Sequence, residues 1–268
     1  MATTTPNLVG SKEHARPTTD DVRVIGLHEY KEAALCLAEA FKHDEVVQYP
    51  INTRDMKHRP EEAKWKLHVA IMEFMVTVHA HKGLVTTIGP NYNSVAIWCL
   101  PNTHVDWFTL VRSGMWSMYF KLSPEGRRRF YSEFLPLLHE TKSNVLAERD
   151  NDAYYLVYIG TRPQDEGKGY GKALIEHITQ RADAENRACY LESSALKNNG
   201  MYRKRGFSFT KKIYLNYADS PICMDIMVRE PARPGEASRD PSDMKRPLQV
   251  ERESSGGGMT LRRASPAA

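Results

Sequence analysis

The chain has 268 residues, enough to bury a sizeable core as one large domain or two small ones, and its 41% hydrophobic and 26% charged residues are ordinary for a globular protein. A formal net charge of +4, spread along the chain, is too small to argue for a nucleic-acid partner. No run of roughly 18 apolar residues occurs, so no segment reads as a membrane-spanning helix. In chain order, residues 1–20 hold no apolar core of signal-peptide length and read as a disordered lead-in. Residues 22–27 ("VRVIGL") read as a strand, and Ala34, Leu35, Ala38 and Phe41 fall at helical spacing just after it. A longer helix is expected from about Pro60 to Gly83, with Trp65, Val69, Met72 and Val76 as its apolar stripe. "LVTTIG" and "SVAIWCLP" read as a hairpin pair joined at "PNYN". Residues 107–148 read as helical, with a break at "LSPEG".

The second half alternates more regularly. Residues 154–160 ("YYLVYIG") form a continuous apolar run of strand length, as a central buried strand would. Leu174, Ile175, Ile178 and Ala182 make a helical stripe, followed by a strand at "ACYLESS" and a short helix at "NNGMYRKRG". "FSFTKKIYL" reads as a strand with Phe207, Phe209, Ile213 and Leu215 on one face, and "ICMDIMV" as the last strand. From residue 231 the Pro, Gly, Ser and charge content reads as a loose tail. The expected fold is therefore one mixed α/β domain over residues 21–230, with a helical insertion at about 107–148.

Several polar clusters invite chemistry. Cys36, Cys99, Cys189 and Cys223 are far apart and form no CxxC pair, which suits reduced thiols and a cytoplasmic location. His68, His79 and His81 share one predicted helix but no i, i+4 pair, so they read as surface or boundary residues and no metal site is expected. Arg127, Arg128 and Arg129 read as a solvated helix face.

The most specific stretch is "RPQDEGKGYGKAL". Gly167, Gly169 and Gly171 follow a buried strand and precede a helix, where glycines let successive N–H groups turn toward one point. With the helix N-terminus behind it, such a loop suits a pyrophosphate; the alternative is a tight turn and nothing more. A Walker A loop would need a hydroxyl residue where Ala173 follows Lys172. A dinucleotide fingerprint would need GxGxxG spacing near the first strand of its unit.

From Tyr155 to Leu215 the apolar strand, "GTRPQDEGKGYGKALI", "CYLESS" and "NNGMYRKRGF" together resemble the GCN5-related N-acetyltransferase (GNAT) family. Within it the chain is similar to the puromycin N-acetyltransferase group and to fungal small-molecule acetyltransferases, to which "AIWCLPN" adds a Trp-containing third strand. The resemblance implies a GNAT fold: a mixed central β-sheet flanked by helices, with the helical insertion between the third and fourth strands. It implies acetyl-CoA as donor, a small-molecule amine as acceptor, direct transfer in a ternary complex, and a monomer or homodimer without nucleic-acid or membrane partners. Carried over by position, Ile159, Gly160 and Thr161 would bond the pantetheine arm. Gly167, Lys168, Gly169, Tyr170, Gly171 and Lys172 would hold the pyrophosphate, and Asn198 would contact the cofactor or else cap a helix. Tyr202 would be the general acid, or a core aromatic. Glu192 would be the general base, or a partner of Arg203 or Arg205. The family's loop carries Gln or Arg where Glu166 stands here, with Arg162, Lys168 and Lys172 as possible counter-charges. A protein N-acetyltransferase and a catalytically inactive CoA-binding sensor are the alternative functions.

Overall fold

The computed structural model describes residues 16–103 and 107–232; the expected lead-in up to residue 15 and the expected tail from residue 233 lie outside the described residues. In chain order the elements are β1 (Val22–Val24), α1 (Tyr30–Ala40), α2 (Glu45–Gln48), α3 (Glu61–Lys82), β2 (Leu84–Ile88) and β3 (Ser94–Cys99). The insertion follows: α4 (Trp107–Arg112), α5 (Met115–Lys121), α6 (Pro124–Arg127), a π-helical segment (Arg128–Phe134) and α7 (Leu135–Leu146). Then come β4 (Tyr154–Thr161), α8 (Tyr170–Ala184), β5 (Cys189–Ser193), α9 (Asn199–Arg203), β6 (Ser208–Leu215) and β7 (Ile222–Arg229).

Among the described residues, seven strands make one sheet in the order β1-β2-β3-β4-β5-β7-β6. Every pairing is antiparallel except β4 with β5, whose connection through α8 is the crossover that a parallel pair needs. The expected mixed sheet, with helices inserted between its third and fourth strands, is what forms. Helices cover both faces because both are apolar. Leu37 of α1 and Ile71, Met72 and Val76 of α3 pack on Val95 and Ile97 of one face. Leu174, Ile175 and Ile178 of α8 pack with Trp98 and Leu156 on the other. Gly160 fits this scheme sterically, since a Cβ there would stand 2.7 Å from the Ala40 Cβ of α1.

Four readings of side-chain placement change. Leu35 is 38% exposed, so the buried stripe of α1 runs through Ala33, Ala34, Leu37 and Ala38 instead. Phe209 does not share a face with Ile213 and Leu215: the register to β7 shifts between Phe209 and Lys211, and that bulge reverses the alternation. His68 and His79 are buried rather than superficial. Each is satisfied by a backbone carbonyl, His68 Nε2 with Ala38 O at 2.9 Å and His79 Nδ1 with Met75 O at 2.7 Å. Burial depresses both pKa values, which keeps the rings neutral.

Arg129 is the fourth. It is buried, not solvated, and its guanidinium donates to Tyr49 O at 3.1 Å, Asn52 O at 3.3 Å and Glu125 Oε1 at 2.5 Å. Glu133, one turn on, accepts from the Tyr49 hydroxyl and from Asn216 N at 2.6 Å. The insertion is thus anchored to α2 and to the β6–β7 connection by buried polar bonds. Arg129→Ala should lower unfolding stability by about 2–4 kcal/mol, because the carbonyls and Glu125 lose their donor inside the protein. Urea unfolding measures it; a loss below about 0.5 kcal/mol would place Arg129 among surface residues after all.

Candidate active site

The site begins where the sheet splits. β4 is paired with β3 along its length, from Tyr155 opposite Cys99 to Thr161 opposite Ser94. Its other edge pairs with β5 only from Tyr154 to Leu156. A register shift falls at that point: Ile97 faces Tyr158 and Trp98 faces Leu156, leaving Val157 as the extra residue on β4. The bulge bends the strand and ends its pairing. From Val157 onward one edge of β4 is open, carrying Ile159, Gly160 and Thr161, and it can accept an extended amide-bearing chain as a sheet accepts a strand.

The open edge leads to the glycine loop. Gly167 and Gly169 have φ of +79° and +94°, values that L side chains rarely adopt. Ala173 N is the first donor to bond back along α8, to Gly169 O at 3.2 Å, and no side chain caps this helix end. The amides of Tyr170, Gly171 and Lys172 therefore have no helical acceptor, and with the helix dipole they suit a phosphate. Asp165 is not a rival anion in this cradle. It is buried, accepting from Lys168 Nζ at 2.5 Å and Asn93 Nδ2 at 2.7 Å, and the Lys168 ammonium is the main reason its carboxyl titrates below the usual range. Glu166 is exposed and has no hydrogen-bond or ionic partner among the described residues. The expected counter-charges are engaged elsewhere, Arg162 with Glu39 at 2.6 Å and Lys172 with Glu176 at 3.8 Å.

Between the split strands and the insertion lies a cavity of about 520 Å³. It brings together Ile159, Asn198, Tyr202 and Glu192, which are 43 residues apart at the extremes of sequence, whereas Gly160, Thr161 and the loop from Gly167 to Lys172 lie outside its lining, at the far end of β4. Asn198 precedes α9 without making a side-chain cap bond, so the capping alternative has no support in the geometry. Tyr202 belongs both to the core and to the cavity wall: its ring packs edge-on against Phe207 at 6.0 Å. Burial, and then the charge of Asp44, raise its pKa, so the phenol keeps its proton at neutral pH.

Glu192 enters from the other side. No ion pair links it to Arg203 or Arg205 among the described residues; Arg205 donates to Met201 O at 2.6 Å and Arg203 is exposed. Its Oε1 is buried with no hydrogen-bond partner among the described residues. Burial pushes the carboxyl up to about 7, held back by the neighbouring Tyr155 and Tyr190 hydroxyls and by the Lys142 charge. Three contributors to this environment were not singled out from sequence. Lys142 of α7 donates to Asp150 Oδ1 at 2.5 Å, and both line the cavity. Asp44 caps α2 through Val46 N and Val47 N, each at 3.0 Å, and accepts from Ser194 Oγ at 2.5 Å, which fixes the turn after Glu192. Asp44 had a visible signal in "HDEVV", an N-cap residue before apolar residues; Lys142 and Asp150 had none. No metal-binding cluster occurs among the described residues, and no described helix is long and apolar enough to cross a membrane.

An open strand edge ending at a glycine cradle, beside a cavity with a buried carboxylate and a protonated phenol, is equipment for acyl transfer. Known proteins agree. The acetyltransferase (GNAT) domain family matches residues 142–209. An uncharacterised N-acetyltransferase of Schizosaccharomyces pombe is 39% identical over 212 residues, 79% of this chain and 83% of that protein. The chain belongs to the GNAT family. It is an acyltransferase of the N-acetyltransferase type, and the family draws its acetyl group from acetyl-CoA and delivers it to amines. Two solved structures match in fold. The histone acetyltransferase HPA2 and related acetyltransferase of Corynebacterium glutamicum has a TM-score of 0.54 at 22% identity, over 82% of this chain and 99% of that one. Arylalkylamine N-acetyltransferase like 5b of a mosquito has a TM-score of 0.52 at 13% identity, over 78% and 98%.

The raised pKa of Glu192 has a consequence for stability. In the unfolded chain this carboxyl titrates near 4.5, in the native protein near 7, so between those values the native state holds the extra proton. Its contribution to stability is therefore full below about pH 4.5 and is lost as pH rises to about 7. Glu192→Gln should flatten that part of the stability–pH curve, gaining on the wild type at pH 8 relative to pH 5. Parallel curves for the two proteins would mean that Glu192 titrates normally.

Proposed function

We propose that this protein transfers the acetyl group of acetyl-CoA to the amine of a small molecule by direct attack in a ternary complex, within a domain spanning residues 21–230. The observation that carries the reading is the 520 Å³ cavity, a volume in the range of small-ligand sites, covered by the insertion and touching both Glu192 and Tyr202. Acetyl-CoA supplies a thioester carbonyl, and the residues present fit it: the open edge at Ile159, Gly160 and Thr161 suits the pantetheine amides, and the amides from Gly167 to Lys172 suit the pyrophosphate, with Asn198 where the arm meets α9.

In this reading Glu192 takes the proton of the acceptor ammonium, for which a carboxylate titrating near 7 is well matched at neutral pH. The amine forms the new C–N bond as the C–S bond breaks, and Tyr202 gives its proton to the departing sulfur. The free thiols support a reducing compartment, which we take as the cytoplasm. Acetyl-CoA at about 100 times its Kd should raise Tm by about 5–10 °C. Thiol release with a panel of amines then separates an enzyme from a CoA sensor, which would bind without turnover, and from a protein acetyltransferase, which would need a polypeptide acceptor. Absence of any Tm shift at millimolar acetyl-CoA would refute the donor assignment.

Tyr202→Phe should lower kcat by about 10- to 10⁴-fold with little change in KM for acetyl-CoA, since only the proton donor is removed. Unchanged kcat in the folded variant would return Tyr202 to a packing role.

A further inference from the structure

Resting on the acetyltransferase reading above, we propose that the acceptor is a monoamine with an apolar body about the size of an aromatic ring or a six-carbon chain, and that the site rejects diamines and polyamines. The charge inside the cavity leads to this. Two carboxylates line it among the described residues, Glu192 and Asp150. Asp150 is already neutralised: Lys142 Nζ donates to its Oδ1 and to its backbone oxygen, both at 2.5 Å. Glu192 is left as the one unpaired acid, so the cavity offers a counter-charge to one ammonium.

The walls say what lies beyond that ammonium. Phe130, Phe134, Leu138 and Lys142 follow one another at spacings of four along the insertion, and all line the cavity. Phe130 and Phe134 are stacked at 5.7 Å, and Met75 and Val78 of α3 line the opposing side. Such walls favour an apolar or aromatic body through dispersion and ring packing. A second ammonium carried on the acceptor would have to leave water for these walls without a carboxylate to meet it. At the Lys142 end it would also meet a resident cation, which stands 5.9 Å from the Tyr155 ring centre and already occupies that aromatic face. One carboxylate, one paired lysine and an aromatic stripe select one positive charge at one end of an apolar molecule.

The test is a matched pair: kcat/KM for hexylamine against 1,6-diaminohexane, read as thiol release from acetyl-CoA with the full-length enzyme. We expect the monoamine to exceed the diamine by at least 100-fold, and 2-phenylethylamine to behave as hexylamine does. Leu138→Glu, which places a carboxylate in the apolar wall, should shift that ratio toward the diamine by at least tenfold; an unchanged ratio in the folded variant would overturn the charge argument. If Leu138→Glu does not fold, the wild-type ratio decides alone. A diamine used as well as hexylamine overturns the monoamine assignment and leaves the acetyltransferase reading standing. No turnover of either amine, with acetyl-CoA still raising Tm, overturns both.

Discussion

The site depends on a partnership that stops early. β4 and β5 pair from Tyr154 to Leu156, and the extra residue at Val157 then carries β4 away from its neighbour. Backbone groups inside a protein are otherwise almost always paired, so an open edge in mid-sheet is costly unless something occupies it. Here the gap is flanked by α9 and the insertion rather than closed, and the cavity grows from it. The same divergence sets Tyr202 on one side of the gap and Glu192 on the other, because Leu191 and Glu192 alternate faces along β5 while Tyr202 comes from α9 on the α8 side. Continuous pairing through Thr161 would bring these two residues into separate halves of a closed core.

Burial then sets the chemistry. Glu192 and Tyr202 move in the same direction for the same reason, since each loses water that would stabilise its charged form. The outcomes differ because their starting values differ: the carboxyl arrives near neutrality and can exchange protons there, whereas the phenol is held protonated. Lys142 limits the rise of Glu192, and Asp44 adds to that of Tyr202. These second contributors come from α7 and from the cap of α2, so the helices that enclose the cavity also tune it.

Much of the fold was legible in residues 154–215, where periods and stops are local: the apolar strand, the glycine turn into α8 and the Gly206 stop each follow from neighbours in sequence. The acid and the base were legible too, as polar residues at the ends of apolar runs. What could not be read locally were departures from regular pairing. The bulges at Val157 and between Phe209 and Lys211 are properties of two strands in register, and neither strand carries a glycine or proline to mark them. Buried polar residues failed for a related reason. His68, His79 and Arg129 look like surface residues until their acceptors appear, and those acceptors are carbonyls, which composition does not distinguish. Asp165 and Glu166 show how fine the line is, since adjacent acids have opposite fates depending on whether Asn93, 72 residues away, reaches one of them.

The π-helical segment from Arg128 to Phe134 accommodates more residues per turn than the helices around it, with Leu135 N bonding back to Phe130 O. Deleting one residue there would let the helix close to ordinary geometry, and everything after it would rotate by about 100° about the helix axis. Leu138, His139 and Lys142 would swing out of the cavity together, and other faces of α7 would swing in. A one-codon deletion could thus replace an entire wall of the pocket without substituting any amino acid. Divergence of this site among descendants of the same chain can proceed by insertion and deletion as well as by point change, and the Arg129 and Glu133 anchors mark the stretch within which such a length change would have to be absorbed.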